Sequence, residues 1–242
     1  MIHDLKIPIA EIFGPTIQGE GSAIGMQCIF IRTGGCDSRC DWCDSKFTWD
    51  AVNATEFTVD EIIGQYEEIA EGVNYPVILT GGNPAMYHNT GALVEVLKEN
   101  GVEVHLETQG TIAQDWFKYL DHLTISPKPP SSGFSTEFDS VLECINAFKA
   151  EGESGKVLCL KVVVAGKADY DYAVSLNEYF EGRYGIFLQP CNPNPEIEQD
   201  IKPHEKLKLL RRLTERCLQD QFTNAVVLPQ LHNYMWGNQQ AV

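Results

Sequence analysis

Three cysteines, Cys36, Cys40 and Cys43, lie within the short segment GGCDSRCDWCDS. Clustered thiolates bind zinc or iron–sulfur clusters, and a pair of thiols can form a disulfide. Three thiolates are one ligand short of a closed tetrahedral zinc site, and one more than a disulfide needs. The spacing therefore indicates a metal centre with one coordination position left open.

Other uses of this segment explain it less well. A structural zinc site needs a fourth Cys or His at suitable spacing, and the six histidines form no such pair. A ferredoxin-type carrier needs four thiolates for each cluster, and no clear fourth is present. A redox-active pair, Cys40 with Cys43, would leave Cys36 without a role. The remaining cysteines are scattered, and we interpret most of them as small buried side chains: Cys28, Cys144, Cys159, Cys191 and Cys217.

The C-x₃-C-x₂-C spacing after an apolar strand resembles the signature of the radical S-adenosylmethionine (SAM) superfamily. In that superfamily three thiolates hold a [4Fe–4S] cluster, and the amino and carboxylate groups of SAM bind the fourth iron. A cluster potential of about −400 mV or lower lets one electron pass to the sulfonium, which zinc cannot supply. The segment at 80–82 resembles the superfamily's GGEP motif, but Asn83 replaces its glutamate, so the role of Asn83 is open.

Apolar segments alternate with amphipathic ones along the chain. We predict strands at 28–35, 75–82, 102–108, 122–128, 157–166, 184–190 and 224–230. We predict helices at 58–72, 91–101, 114–121, 138–152, 168–182 and 205–220, the first starting with a capping box from Thr58 and Glu61. Alternation of this kind predicts βαβ units and a parallel sheet.

The fold class expected from this pattern and from the resemblance is α/β, a partial (βα)6-type radical SAM barrel with parallel strands. We expect one domain over 1–242, with a cluster loop at 36–43 and a C-terminal segment, 221–242, that closes the substrate side. Polar segments follow most of the predicted strands. Because functional sites gather at the carboxyl ends of parallel strands, we expect these segments to face one site.

Six further segments narrow the resemblance, and they occur in this order: EIFGPTIQGEGSAIG, IRTGGC, CDWCDSKFTW, LTGGNPAM, LETQGT and TISPKPPSS. Together with FLQP and LPQLHNYMWGN near the end, they resemble the 7-carboxy-7-deazaguanine synthases of queuosine and 7-deazapurine biosynthesis. The resemblance implies 6-carboxy-5,6,7,8-tetrahydropterin as the substrate, hydrogen abstraction at C6, ring contraction and release of ammonia. It also implies that Mg²⁺ is needed and that SAM is regenerated.

The resemblance implies a set of substrate contacts: Ile17, Gln18, Gly19, Glu20, Arg32, Thr80 and His232. Glu20 would accept hydrogen bonds from pterin N–H groups. An unpaired buried Arg32 would be costly, so we expect it to bind the substrate carboxylate, with a structural salt bridge as the alternative. For His232 the alternative is an ordinary core histidine.

Further residues match SAM contacts of the family: Trp42, Cys43, Asp44, Gly82, Glu107, Thr108, Ser126, Pro127, Lys128, Gln189, Pro190, Cys191 and Asn192. Ser45 stands where the family has a threonine that binds Mg²⁺, and its hydroxyl oxygen suits this hard ion. Lys161 interrupts an apolar strand, so it has either a role in the site or a paired, structural one.

Composition limits the partners of the chain. Its 242 residues carry a formal net charge of −16, which argues against a nucleic-acid backbone as the main partner. No apolar run is long enough for a membrane span, and the N-terminus does not resemble a signal peptide, so we expect a cytoplasmic protein. The resemblance implies a homodimer and an electron donor such as flavodoxin or ferredoxin. The alternatives are an activase for a glycyl-radical enzyme and a non-catalytic zinc or Fe–S module.

Overall fold

A computed structural model of the protein describes residues 2–192 and 202–242. The predicted loop at 190–203 therefore lies partly outside the described residues. The described chain is organised around one nine-stranded sheet with helices packed against it.

The sheet has the strand order β3-β1-β2-β4-β5-β6-β7-β8-β9. Its strands are β1 (Lys6–Ile17), β2 (Gln27–Thr33), β3 (Thr55–Thr58), β4 (Val77–Gly81), β5 (Val104–Thr108), β6 (His122–Ile125), β7 (Val157–Val164), β8 (Ile186–Pro190) and β9 (Ala225–Val227). β2 and β4 to β9 are parallel, whereas β1 pairs antiparallel with both β2 and β3. Among the described residues β3 and β9 lie at opposite ends of the strand order, which fits the expected partial barrel.

In the part of the chain that the structure describes, six α-helices accompany the strands: α1 (Val59–Ala70), α2 (Thr90–Glu99), α3 (Phe138–Lys149), α4 (Lys167–Tyr179), α5 (Pro203–Gln219) and α6 (Leu231–Trp236). The predicted short helix at 114–121 is confirmed, and Asp115–Tyr119 forms a 3₁₀ helix. The adjacent side chains Trp116 and Phe117 are both buried there. The other predicted strands and helices are confirmed, with ends that differ by a few residues.

The capping box predicted at the start of α1 is present. The Thr58 hydroxyl accepts a hydrogen bond from the Glu61 N–H at 3.3 Å, and the Glu61 carboxylate accepts one from the Thr58 N–H at 2.7 Å. The helix buries Ile62, Tyr66 and Ala70 on one face. This fixes α1 on the sheet directly after the cluster loop and β3.

Side chains alternate between the two faces of each parallel strand. On β7, Leu160 and Val162 join the apolar core beneath the helices, whereas Lys161 lies between them on the opposite face. On β5, Leu106 belongs to the same core and Glu107 to the opposite face. The inner face of the sheet is therefore polar near the carboxyl ends of its strands.

No described helix combines the length and the apolar character that a membrane span requires.

The loops after β2 and β4 approach each other closely through glycines. A Cβ atom on Gly81 would lie 2.2 Å from the carbonyl oxygen of Thr33, and the φ angle of Gly81 is +131°. A Cβ atom on Gly82 would lie 1.9 Å from the carbonyl oxygen of Gly35. The backbone N–H of Asn83 also donates to the Gly35 carbonyl at 2.8 Å. These glycines hold the start of the cluster loop against the next strand.

We predict that Gly81→Ala lowers the free energy of unfolding by about 2 kcal/mol or more, because the new methyl group meets backbone and φ is strained. Urea denaturation measures this change. The matched control is Gly64→Ala on the exposed face of α1, where nothing lies within 4 Å of the new Cβ. That substitution should stabilise the protein by up to about 1 kcal/mol through helix propensity. Equal effects of the two substitutions would contradict this account of the loop contact.

Candidate active site

A cavity of about 260 Å³ opens at the carboxyl ends of the parallel strands. Most of the residues predicted for the site line it: Ile17, Gln18, Gly19, Glu20, Arg32, Cys36, Cys40, Trp42, Cys43, Asp44, Ser45, Thr80, Gly82, Glu107, Thr108, Ser126, Lys128, Cys191, Asn192 and His232. They come from segments that are far apart in the sequence. The expected gathering of polar segments at one edge of the sheet is therefore present.

Three residues predicted to contact SAM do not line this cavity. Pro127 is buried between Ser126 and Lys128, which do line it. Gln189 is fully buried, and its amide donates to the carbonyl of Pro229 at 3.3 Å. Pro190 borders a much smaller neighbouring cavity instead.

The three clustered cysteines share one wall of the cavity, and none forms a disulfide. Across 2–192 and 202–242, no group of three or more His, Cys, Asp or Glu side chains is arranged to hold a single metal ion. A [4Fe–4S] cluster takes one thiolate for each iron, so its ligands need not converge on one point. Burial and the nearby Asp44 raise the pKa of Cys43 to about 11, so its thiolate needs a bound cation at neutral pH. The cysteine wall fits a cluster better than it fits zinc.

The amide of Asn83, whose role the sequence left open, joins three loops below the cavity. Asn83 is fully buried, and it donates to the Asp37 carboxylate at 2.8 Å and accepts from the Thr108 hydroxyl at 2.8 Å. It also donates to the Thr111 hydroxyl at 3.3 Å. Asn83 does not line the cavity, so its position in the motif serves loop structure.

The cluster loop is also tied to the loop after β5 through Gln109. The Gln109 amide donates to the Asp37 carboxylate and lies 3.7 Å from the Cys36 sulfur. Sequence reasoning missed Gln109, although it belongs to the quoted segment LETQGT. Its position directly after β5 was the available signal that it belongs to the site.

Opposite the cysteines, Lys161 contacts two carboxylates on the inner face of the sheet. Its ammonium forms an ion pair with Glu20 and lies 3.4 Å from Oε1 of Glu107. Glu107 also accepts from the Gln18 amide at 3.2 Å and from the Thr80 hydroxyl at 3.0 Å. The Gln230 amide donates to Glu20 at 2.7 Å. Lys161 is thus paired, which was one of the two alternatives drawn from the sequence. Its partners line the cavity.

These contacts determine the ionisation of Glu20 and Lys161. Burial raises the pKa of the Glu20 carboxyl, but Lys161, His232 and the hydrogen bond from Gln230 lower it more, so its pKa lies well below the ordinary value. Burial lowers the pKa of the Lys161 ammonium, but Glu107 and Glu20 raise it well above its usual value. Lys161 and Glu20 are therefore both charged at neutral pH.

Arg32 lies between a protein carboxylate and the cavity. Its Nε donates to the Glu11 carboxylate at 2.7 Å, and its guanidinium lies 5.8 Å from the ring centre of Phe13. A second nitrogen donates to the Ser45 hydroxyl at 3.4 Å. The salt bridge considered from the sequence is present, and Arg32 still lines the cavity with donors left over.

Ser45 follows the last clustered cysteine and precedes a 3₁₀ helix (Lys46–Thr48). Its hydroxyl donates to Asp44 at 3.0 Å, and its N–H donates to the Cys43 sulfur at 3.4 Å. An oxygen donor thus lies beside the cysteine wall and next to Arg32.

The C-terminal segment covers the cavity on the side of Gly19. The Leu231 N–H donates to the Gly19 carbonyl at 2.8 Å, and a Cβ on Gly19 would lie 2.2 Å from the ring of His232. His232 lines the cavity and is half-buried, and its Nε2 accepts from the Asn233 amide at 3.1 Å. Residues 237–242 also line the cavity.

Several other lining residues were not predicted: Glu11, Phe13, Phe30, Phe47, Thr48, Trp49, Gly81, Gln109, Val163, Gln230 and Asn233. Glu11 and Phe13 were missed because β1 was not recognised as a strand, since Pro8 and Pro15 interrupt its apolar pattern. Phe30 lies between two core residues of β2 and faces the opposite side of the strand. Because the whole strand is apolar, the sequence does not show this alternation.

Comparison with known proteins agrees with this geometry. The family model described as the Radical SAM superfamily matches residues 30–152. The 7-carboxy-7-deazaguanine synthase of Bacillus subtilis (strain 168) is 40% identical over 242 residues, covering 98% of each chain. That of Bacillus cereus is 41% identical over 245 residues, covering 98% of this chain and 99% of the relative.

Solved structures show the same fold. The crystal structure of QueE from Escherichia coli aligns with a TM-score of 0.63 at 22% identity, covering 94% of this chain and 95% of that one. A structure titled native anSMEcpe with bound AdoMet aligns with a TM-score of 0.53 at 17% identity, covering 86% of this chain and 65% of that one. Motif, fold, cavity and curated relatives agree, and the chain belongs to the radical SAM superfamily and, within it, to the family of 7-carboxy-7-deazaguanine synthases.

Proposed function

We propose that this protein converts 6-carboxy-5,6,7,8-tetrahydropterin to 7-carboxy-7-deazaguanine with loss of ammonia, as a radical SAM lyase of queuosine and 7-deazapurine biosynthesis. The observation that carries the proposal is one cavity with the three clustered cysteines on one wall and a polar, charged set on the other. The near full-length similarity to named synthases supports the same reaction.

When bound, the [4Fe–4S] cluster and SAM would supply a 5′-deoxyadenosyl radical that removes hydrogen from C6 of the substrate. The chain's part is to hold these groups and the substrate in register and to exclude water. Cys36, Cys40 and Cys43 would ligate the cluster. The side chains assigned to SAM are Trp42, Asp44, Gly82, Thr108, Ser126, Lys128, Cys191 and Asn192, all in the cavity wall. Pro127, Gln189 and Pro190 are not in this set, because they do not line the cavity.

The substrate's pterin ring presents several N–H donors, and the carboxylates of Glu20 and Glu107 are acceptors suited to them. Ile17, Gln18, Gly19, Thr80 and His232 would complete this subsite, as the family resemblance implies. Glu107, which the sequence assigned to SAM, lies on the Glu20 side of the cavity, so we assign it to the pterin. The guanidinium of Arg32 would bind the substrate carboxylate with its remaining donors.

Mg²⁺ would bind at the hydroxyl of Ser45, with substrate and water oxygens as further ligands. Ser45 contacts Cys43 through its N–H and Arg32 through its hydroxyl, so it lies beside the residue assigned to the substrate carboxylate. This position supports a role in holding the substrate rather than the cluster.

The cellular setting follows from the family. We propose a cytoplasmic homodimer that receives electrons from a flavodoxin or a ferredoxin and regenerates SAM in each cycle.

The proposed activity is tested by anaerobic incubation with SAM, reductant, Mg²⁺ and 6-carboxytetrahydropterin. We expect 7-carboxy-7-deazaguanine by mass spectrometry. Cys36→Ala should lose the iron–sulfur absorbance and the product, whereas Cys217→Ala, a buried cysteine of α5, should keep both. Cluster-loaded protein that binds SAM and forms no deazaguanine would refute the proposed substrate.

We predict that Arg32→Ala raises KM for the pterin by about 10- to 100-fold, because a charge-assisted hydrogen bond to the substrate carboxylate is lost. Iron–sulfur absorbance should be unchanged. The matched control is Glu11→Gln, which breaks the same ion pair and leaves the guanidinium in place. A loss of the cluster in Arg32→Ala, or an equal rise of KM in both variants, would assign Arg32 a structural role instead.

Ser45→Ala should raise the Mg²⁺ concentration needed for half-maximal rate by about tenfold or more, since loss of a ligand or its support typically costs 10–100-fold in metal affinity. Ser45→Thr keeps the hydroxyl and should keep the Mg²⁺ response. Steady-state rates over a series of Mg²⁺ concentrations measure both. An unchanged response in Ser45→Ala would mean that Mg²⁺ binds elsewhere.

A further inference from the structure

We propose that Lys161 is a positioning residue that keeps Glu20 and Glu107 ionised together, so that both accept hydrogen bonds from the pterin and substrate affinity does not change with pH near neutrality. This inference rests on the proposed function. It concerns a residue that neither a sequence motif nor the family resemblance assigns to the reaction.

The position of Lys161 in the sheet suits this role. It lies in the middle of β7, between Leu160 and Val162 of the apolar core, and β7 is paired with β6 on one side and β8 on the other. The side chain of Lys161 is only 6% exposed, and those of Glu20 and Glu107 are 14% and 20% exposed. The ammonium is therefore fixed by a rigid strand, and it lies between carboxylates from two other segments of the chain.

Both carboxylates keep acceptor capacity after their contacts with the protein. Glu20 accepts from Lys161 and Gln230, and Glu107 accepts from Lys161, Gln18 and Thr80. An ionised carboxylate offers about four lone-pair positions, so both can still receive pterin N–H groups. A protonated carboxyl would instead present an O–H donor to the donors of the substrate and lose part of this capacity.

Without the ammonium the two carboxylates would resist ionisation. Burial disfavours the charged form, and two carboxylates in one pocket repel, so such a pair retains a proton to higher pH. The other titratable groups that face this set are His232 of α6, which acts on Glu20, His122 of β6, which acts on Glu107, and the thiols of Cys159 on β7 and Cys28 on β2. Among the titratable groups of the described residues, Lys161 alone contacts both carboxylates.

The test measures equilibrium binding of 6-carboxytetrahydropterin to anaerobic, cluster-loaded protein with SAM and Mg²⁺ but no reductant, from about pH 6 to pH 8.5. We expect the affinity of the unmodified protein to stay flat. Lys161→Met should bind about tenfold or more weakly at the acidic end and regain affinity as pH rises, because the shared proton is then lost. Lys161→Arg keeps the charge and should keep a flat profile.

Two further variants separate positioning from simple structural support. Lys156→Met removes a lysine just before the same strand, whose ammonium donates to the backbone carbonyls of Lys118 and Phe148, and it should leave the profile flat. Lys161→Met combined with Glu20→Gln removes the repulsion between the two acids and should bind weakly, with a smaller pH dependence than Lys161→Met alone.

The outcomes are distinct. If Lys161→Met loses affinity equally at every pH, or loses none, the inference is wrong. Should Lys161→Met not fold, infrared difference spectra of pterin binding to the unmodified protein still decide the matter. They should show perturbed carboxylate bands and no carboxylic acid band at pH 6, with the band of Glu20 identified through Glu20→Gln. An unmodified protein that binds no pterin would instead refute the proposed function.

Discussion

Seven strands of this sheet run parallel, and their carboxyl ends meet at one edge, so every loop that leaves a strand there faces the same space. This constraint brings together cysteines from the loop after β2, Glu107 from β5 and Lys161 from β7. The outer face of the strands supplies the apolar core, and the inner face supplies the site. Stability and chemistry thus use alternate residues of the same strands.

The cavity wall carries charges of both signs, although the whole chain is strongly acidic. The net charge is −16, yet Arg32, Lys128 and Lys161 line the cavity. A substrate with a carboxylate at one end and N–H donors at the other needs a cation for the first and acceptors for the second. In the proposed function, Arg32 on one side and the Glu20–Glu107 pair on the other would meet these two needs. Lys161 lies between the two carboxylates and contacts both.

Sequence reasoning found the parallel strands and most of the cavity wall, because apolar runs and motif spacing are local signals. It missed β1, which pairs antiparallel and carries Glu11 and Phe13 into the site, since Pro8 and Pro15 interrupt its pattern. It left Asn83 and Lys161 open because their roles depend on partners from distant segments. The pairing of Lys161 with Glu20 joins residues 141 positions apart, which no local pattern reveals.

The central claim is that one cavity holds the pterin with its C6 beside the SAM bound at the cysteine wall. Substrate carrying deuterium at C6 tests this claim most directly. After anaerobic turnover, mass spectrometry of the recovered SAM should show deuterium, because the hydrogen taken from C6 passes through the cofactor and SAM is regenerated. Deazaguanine formed with no deuterium in SAM or in 5′-deoxyadenosine would contradict the account.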